Sequence, residues 1–178
     1  MFKHRLWLVL SCSLMLSAMI AGEANALGLP PPFLEYAAKF TCGRVPPAGG
    51  DTDAVVGVYA TSINIHNPQA DATVEFFKKI VIAPEEGEGQ AQIFVLTPNQ
   101  LEALRPDLAE YVDCPLIFKI SKMQPGTRIE GFVVLEIKTS QGQPQLSLDV
   151  VGTYSARAST GEASSLDVVV YNPKPITQ

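Results

Sequence analysis

Tryptophan occurs once in this 178-residue chain, at Trp7, and histidine twice, at His4 and His66. Trp7 and His4 fall in a leader described below, so the remainder keeps His66 as its one histidine and has no tryptophan. A catalytic triad needs a base beside its nucleophile, and no Gly-x-Ser-x-Gly motif accompanies His66. Phosphate loops, dinucleotide fingerprints and aromatic-basic stripes are all missing. Cysteine is scarce, at Cys12, Cys42 and Cys114, and widely spaced cysteines with one histidine match no zinc-ligand pattern. Positive charge is in deficit, with 13 basic residues against 18 acidic ones and a net charge of -5. That balance lacks the electrostatic footprint of a nucleic-acid binder and the Lys/Arg cluster that holds a protein to anionic lipid. The chain also lacks a long apolar run. Its longest, Leu6 to Ile20, has roughly 15 residues where a membrane span needs about 20.

That short run reads instead as the core of a secretory signal over residues 1–26. Lys3 and Arg5 precede it, and Ala24-Asn25-Ala26 supplies the small residues a signal peptidase reads, with cleavage expected after Ala26. Val9-Leu10-Ser11-Cys12 loosely resembles a lipobox, but modification at Cys12 would leave the downstream Ala-x-Ala site without a purpose. Losing Lys3, Arg5 and Glu23 leaves 11 basic and 17 acidic residues, a net charge of -6, adequate for solubility. The expected location is periplasmic or extracellular, with no membrane insertion after cleavage. Export also gives the two remaining cysteines a meaning: an even count in an oxidising compartment predicts a Cys42–Cys114 disulfide.

What the chain does have is period-two alternation. In Val55 to Ile82, Tyr59, Thr61, Ile63 and Ile65 alternate with Ser62, Asn64 and His66, and Val74, Phe76, Ile80 and Ile82 alternate with Glu75, Phe77 and Lys79. With Asn67-Pro68 between them, the two strands read as a hairpin whose wetter face carries Ser62, Asn64 and His66. Residues 27–53 read as a Pro/Gly-rich lead with a first strand over Ala37 to Cys42, and 54–172 as the sandwich itself. Residues 173–178 are expected to be a flexible tail. Further strands are expected over Ala91 to Leu96, Ala109 to Cys114, Leu146 to Tyr154 and Leu166 to Val170. Arg128 to Ile137, apolar on both faces, reads as a central strand. Thr97-Pro98-Asn99-Gln100 carries a helix-start signal, with Leu101, Leu104 and Leu108 on one face and Pro106 limiting the helix to about two turns. The fold class is therefore all-β: an antiparallel β-sandwich of about seven or eight strands with a short helical insertion.

Candidate chemistry is thin. Glu85, Glu86 and Glu88 follow no calcium-loop spacing and read as solvated acids. Glu110 with Asp113, or Glu130 with Glu136, are carboxylate pairs by count only. Sugar stacking would fall to Tyr36, Tyr59, Tyr111, Tyr154 or Tyr171, of which Tyr59 and Tyr154 read as core. The stretches GVYATSINIHNP (Gly57 to Pro68), VEFFKKIVIA (Val74 to Ala83), YVDC (Tyr111 to Cys114), IEGFVVLEI (Ile129 to Ile137) and LDVVGTYSA (Leu148 to Ala156) resemble an uncharacterised family of exported bacterial single-domain β-sandwich proteins. In strand order they are more distantly similar to the sensory-rhodopsin-transducer type of sandwich, a binding and assembly fold. That resemblance implies a secreted sandwich and carries over no catalytic residue.

The expected function is a non-enzymatic extracytoplasmic binding or assembly module, acting through Ser62, Asn64 and His66 or through an exposed sheet edge. It has no cofactor, no metal site and no nucleic-acid partner; the partner is a protein or a glycan, and homo-oligomerisation is open. The alternatives are a carbohydrate-binding module and a hydrolase with a loop-built site.

Overall fold

The longest strand, β1 (Phe33–Val45), serves two sheets. The computed structural model describes residues 33–47, 56–83, 92–95, 101–138, 146–158 and 164–176. The signal segment 1–26, the acidic run Glu85 to Glu88 and the helix-start signal Thr97 to Gln100 lie outside them. The other described strands are β2 (Gly57–His66), β3 (Val74–Ile82), β4 (Gln92–Val95), β5 (Glu102–Leu104), β6 (Ala109–Asp113), β7 (Ile129–Lys138), β8 (Asp149–Ala158), β9 (Ser164–Tyr171) and β10 (Lys174–Ile176). One helix, α1 (Cys114–Ser121), joins β6 to the second half of the chain. All pairings are antiparallel, and the fold is the expected all-β sandwich.

Residues Phe33 to Cys42 of β1 pair with β7, and Gly43 to Val45 pair with β2. One layer, sheet A, therefore contains β10, β1, β7 and β3, with β4 and β5 sharing the far edge of β3. The other, sheet B, contains β9, β8 and β2, with β6 and the end of β1 sharing the far edge of β2. The corner between them is Gly43, whose φ of +106° suits glycine, and a Cβ there would lie 2.0 Å from the Thr127 carbonyl oxygen. Where β1 leaves β7 for β2, the Thr61 side chain replaces a backbone pairing. The Thr41 N–H donates to Thr61 Oγ1 at 3.0 Å, and the Thr61 hydroxyl donates to the Thr41 carbonyl at 2.9 Å.

The two strands expected to form a hairpin do not pair. β2 is flanked by β8 on one side and by β6 and β1 on the other; β3 is flanked by β7 and by β4 and β5. They lie in opposite sheets, and Ile63 and Ile65 share one buried core with Val74, Phe76 and Ile80. Alternation requires each strand to have an apolar face, but it is satisfied equally by strands side by side and strands face to face. Asn67 decides between them. This fully buried side chain donates to the Ala72 and Leu104 carbonyls, both at 2.8 Å, and accepts from the Gln69 N–H at 3.0 Å, pinning the chain as it crosses between layers.

Two further expectations are corrected. The helix expected from Thr97 onward is not what residues 101–108 form: Glu102 to Leu104 pair with Val74 to Phe76 as β5, and only Leu104 of the three leucines is buried. The helix lies instead at Cys114–Ser121, where Asp113 Oδ1 accepts from the Leu116 N–H at 3.0 Å and Pro115 occupies the first turn. The tail is not flexible throughout, because Lys174 to Ile176 pair with Phe33 to Glu35. β7 is central in sheet A as expected, although Phe132 on its outer face is exposed rather than covered.

Three links tie the layers. Cys42 and Cys114 form a disulfide with a Cα separation of 5.5 Å, as the cysteine count predicted. The Leu148 N–H donates to the buried Tyr36 hydroxyl at 2.9 Å. Lys78 points inward from β3, with its ammonium 2.5 Å from Glu102 and 2.7 Å from Glu110 across the gap. Burial holds the Glu102 carboxyl above the usual carboxylate range, against the pull of the Lys78 ammonium.

Candidate functional site

The outward residues of sheet B follow from register. One cross-strand row runs Tyr111, Asn64, Val151, Val170, and the next runs Asp113, Ser62, Thr153, Val168. Leu166 continues the β9 stripe opposite Ser155 and Ala60. Ser62, Asn64 and His66 thus share one face at the centre of this sheet, with Asn64 exposed and the other two half-buried. The same face carries large apolar groups: Tyr111 on the neighbouring β6 is 63% exposed, and on β9, beyond β8, Leu166 is 72%, Val168 57% and Val170 66% exposed. The unpaired side of β9 forms one edge of sheet B among the described residues.

No family profile, curated protein or solved structure matches this chain.

His66 closes one end of the face. Its Nδ1 lies 3.2 Å from Asp149 Oδ2 and its Nε2 lies 3.3 Å from Asp107 Oδ1. Both contacts favour the imidazolium, first through Asp149 and then through Asp107, and raise the His66 pKa above 6.5. Asp107 reaches the ring from a left-handed turn position with φ of 56°, a conformation that aspartate tolerates. The turn is held by the Asp107 N–H donating to the Asn67 carbonyl and the Asn67 N–H donating to the Leu108 carbonyl, both at 3.0 Å. An imidazole held between two carboxylates through both nitrogens serves as a charged clamp.

The remaining candidates are distributed elsewhere. Glu110 engages Lys78, Asp113 caps α1, Glu136 engages Lys79, and Glu130 engages Lys39 and Arg128. Among the tyrosines, Tyr36 is buried, Tyr59, Tyr154 and Tyr171 are half-buried, and Tyr111 is exposed. The Tyr154 hydroxyl meets that of Tyr171 and donates to the Lys39 carbonyl at 2.5 Å, and burial pushes its pKa up. Among the described residues no group of histidine, cysteine and acidic side chains is placed to hold a metal ion.

The outer face of sheet A also has apolar residues, among them Phe77, Phe132, Ile93 and Val95. There, however, they are interleaved with the Lys79–Glu136 and Lys39–Glu130 ion pairs, and Val134 is buried beneath them. The β9 stripe has no such interruption. The stripe is not legible in the sequence, because Leu166, Val168 and Val170 alternate with Ser165, Asp167 and Val169 as any core strand would. Which face turns inward is set by pairing with β8, where Val150 and Gly152 take the core side.

Proposed function

We propose that this chain is a non-enzymatic binding or assembly module, exported to a periplasmic or extracellular compartment, whose working surface is the outer face of sheet B. The observation that carries this reading is the uninterrupted apolar stripe Leu166, Val168, Val170 on a strand at the edge of the described sheet, on the same face as Asn64 and Tyr111 and separated from them by Val151 and Thr153 of β8. Contiguous exposed apolar surface rimmed by polar side chains marks a protein-contact site, and an open edge offers main-chain pairing to an added strand. The partner is a protein, either a second copy or another exported chain. The disulfide is compatible with an oxidising compartment.

Light scattering on the disulfide-bonded protein, with a Val168→Lys, Val170→Lys variant beside it, tests the reading. A concentration-dependent dimer that the lysine variant abolishes identifies a second copy. A monomer directs the search to envelope extracts, where one discrete partner must be retained by the native protein and lost by the variant. Neither result, or histidine-dependent turnover of generic ester, peptide or glycoside substrates that His66→Ala removes, overturns it. Tyr111 gives the carbohydrate alternative its one exposed tyrosine among the described residues, and a glycan retained by the native protein but not by Tyr111→Ala would replace the protein reading.

A further inference from the structure

At the opposite end of β2 from His66, β1 and β6 share the same edge of β2 without meeting. β1 pairs with Gly57 to Tyr59, and β6 pairs with Ser62 to His66. The gap beside Ala60 is roofed by α1 and by the turn that follows it, leaving a groove of about 690 Å³. That size falls within the roughly 300–1,000 Å³ of small-molecule sites. Its lining is mostly apolar and includes Val58, Phe118, Met123 and Pro125. Polar character at the groove is supplied chiefly by two side chains, Arg44 and Lys119.

Both are exposed cations, and neither has an ion-pair partner among the described residues. No described acidic residue lines the groove. Lys78, by contrast, is neutralised by Glu102 and Glu110, Lys79 by Glu136 and Lys39 by Glu130. In a chain with net charge -5, an apolar groove whose charged lining among the described residues is only positive is complementary to an apolar molecule with an anionic end.

We infer that this groove binds a single-chain amphiphile with an anionic head, of the fatty-acid class, with its carboxylate at Arg44 and Lys119 and its acyl chain along Val58, Phe118 and Met123. Arginine suits the role because its planar fork meets a carboxylate through two parallel hydrogen bonds, and lysine adds a second charge from the helix. The Cys42–Cys114 disulfide fixes the start of α1, so one wall is covalently held to β1. The groove meets the outer face of sheet B through Val58 and Ala60, which share the outward side of β2 with Ser62 and Asn64, but no residue of the Leu166, Val168, Val170 stripe lines it, so the two readings are tested by different substitutions.

The test is calorimetric titration of the disulfide-bonded protein with dodecanoate and tetradecanoate below their micelle concentrations. Dodecanol, dodecyltrimethylammonium and phosphatidylglycerol vesicles serve as comparators. The expected result is saturable one-to-one binding of the carboxylates, tightening about two- to fourfold per added methylene as buried apolar length grows. An Arg44→Glu, Lys119→Glu variant should lose at least tenfold in carboxylate affinity and gain affinity for the cationic amphiphile, with an unchanged unfolding midpoint because both side chains are exposed. An Arg44→Gln, Lys119→Gln variant should fall between the two. No saturable binding, equal binding of alcohol and carboxylate, indifference to charge reversal, or binding to vesicles alone would each overturn the assignment.

Discussion

Replacing Asn67 by alanine removes two donors and one acceptor from a fully buried position and leaves the Ala72 and Leu104 carbonyls and the Gln69 N–H without their partner. Buried polar groups left unsatisfied cost about 1–3 kcal/mol each, reduced where water can enter. Asn67→Ala should therefore destabilise by about 2–4 kcal/mol in urea unfolding, while Asn64→Ala, exposed three residues away, should stay within about 0.5 kcal/mol. His66, next in the chain, behaves differently because its bonds depend on a proton. Asp149 and Asp107 raise its folded pKa above 6.5, so the folded state holds the proton more tightly than the unfolded one. Its contribution is complete below about pH 6.5 and is lost as pH rises through the elevated folded value. The unfolding midpoint of the native protein should fall relative to His66→Gln over that interval, and the two curves should run parallel above it. Coincident curves at every pH would remove the clamp.

Among the elements, β1 carries the architecture, because one strand supplying two sheets makes the sandwich continuous. Gly43 permits the change of sheet. Gly43→Ala meets both an unfavourable φ and a Cβ contact of 2.0 Å with the Thr127 carbonyl, and should cost more than about 2 kcal/mol by thermal unfolding. Gly126→Ala meets nothing within 4 Å and should be nearly silent. Much of this was legible in sequence. Of the inward set, Thr61, Ile63, Ile65, Val74, Phe76, Ile80 and Ile82 are buried as alternation predicts, since period two is a local property of an extended chain, whereas Tyr59, read as core with Tyr154, is like it only half-buried. Strand partnership was not legible, because the same alternation serves a hairpin and a crossing between layers. The helix was misplaced for a related reason. Thr97 to Gln100 and Asp113 to Pro115 both offer caps, and the pairing of Glu102 to Leu104 with β3 excludes helix from the region after the first. The Asp113 cap with Pro115 behind it was the signal that marked α1. For the candidate site, Ser62, Asn64 and His66 were placed together by strand geometry alone. Their apolar neighbours Tyr111, Val168 and Val170 came from other strands and required the register.

The whole molecule is held closed by its interior and by the covalent link at the β1 corner. Cys42 and Cys114 are 72 residues apart, and a loop of that length gives the disulfide a contribution of about 2–4 kcal/mol. Cys42→Ala, Cys114→Ala should lower unfolding stability by that amount, and reductant should do the same to the native protein and nothing to the variant. A sandwich so closed keeps its functional options on its surfaces, and the outer face of sheet B is where apolar area is left uncovered by ion pairs. The most direct measurement of that claim is site-specific photo-crosslinking in the protein's native compartment, with the reactive side chain at Val168 and a control at the exposed Glu75 on sheet A. The account predicts one discrete adduct from position 168, with a second copy or a single partner, and none from position 75. No adduct from 168, or the same adducts from both positions, would contradict it.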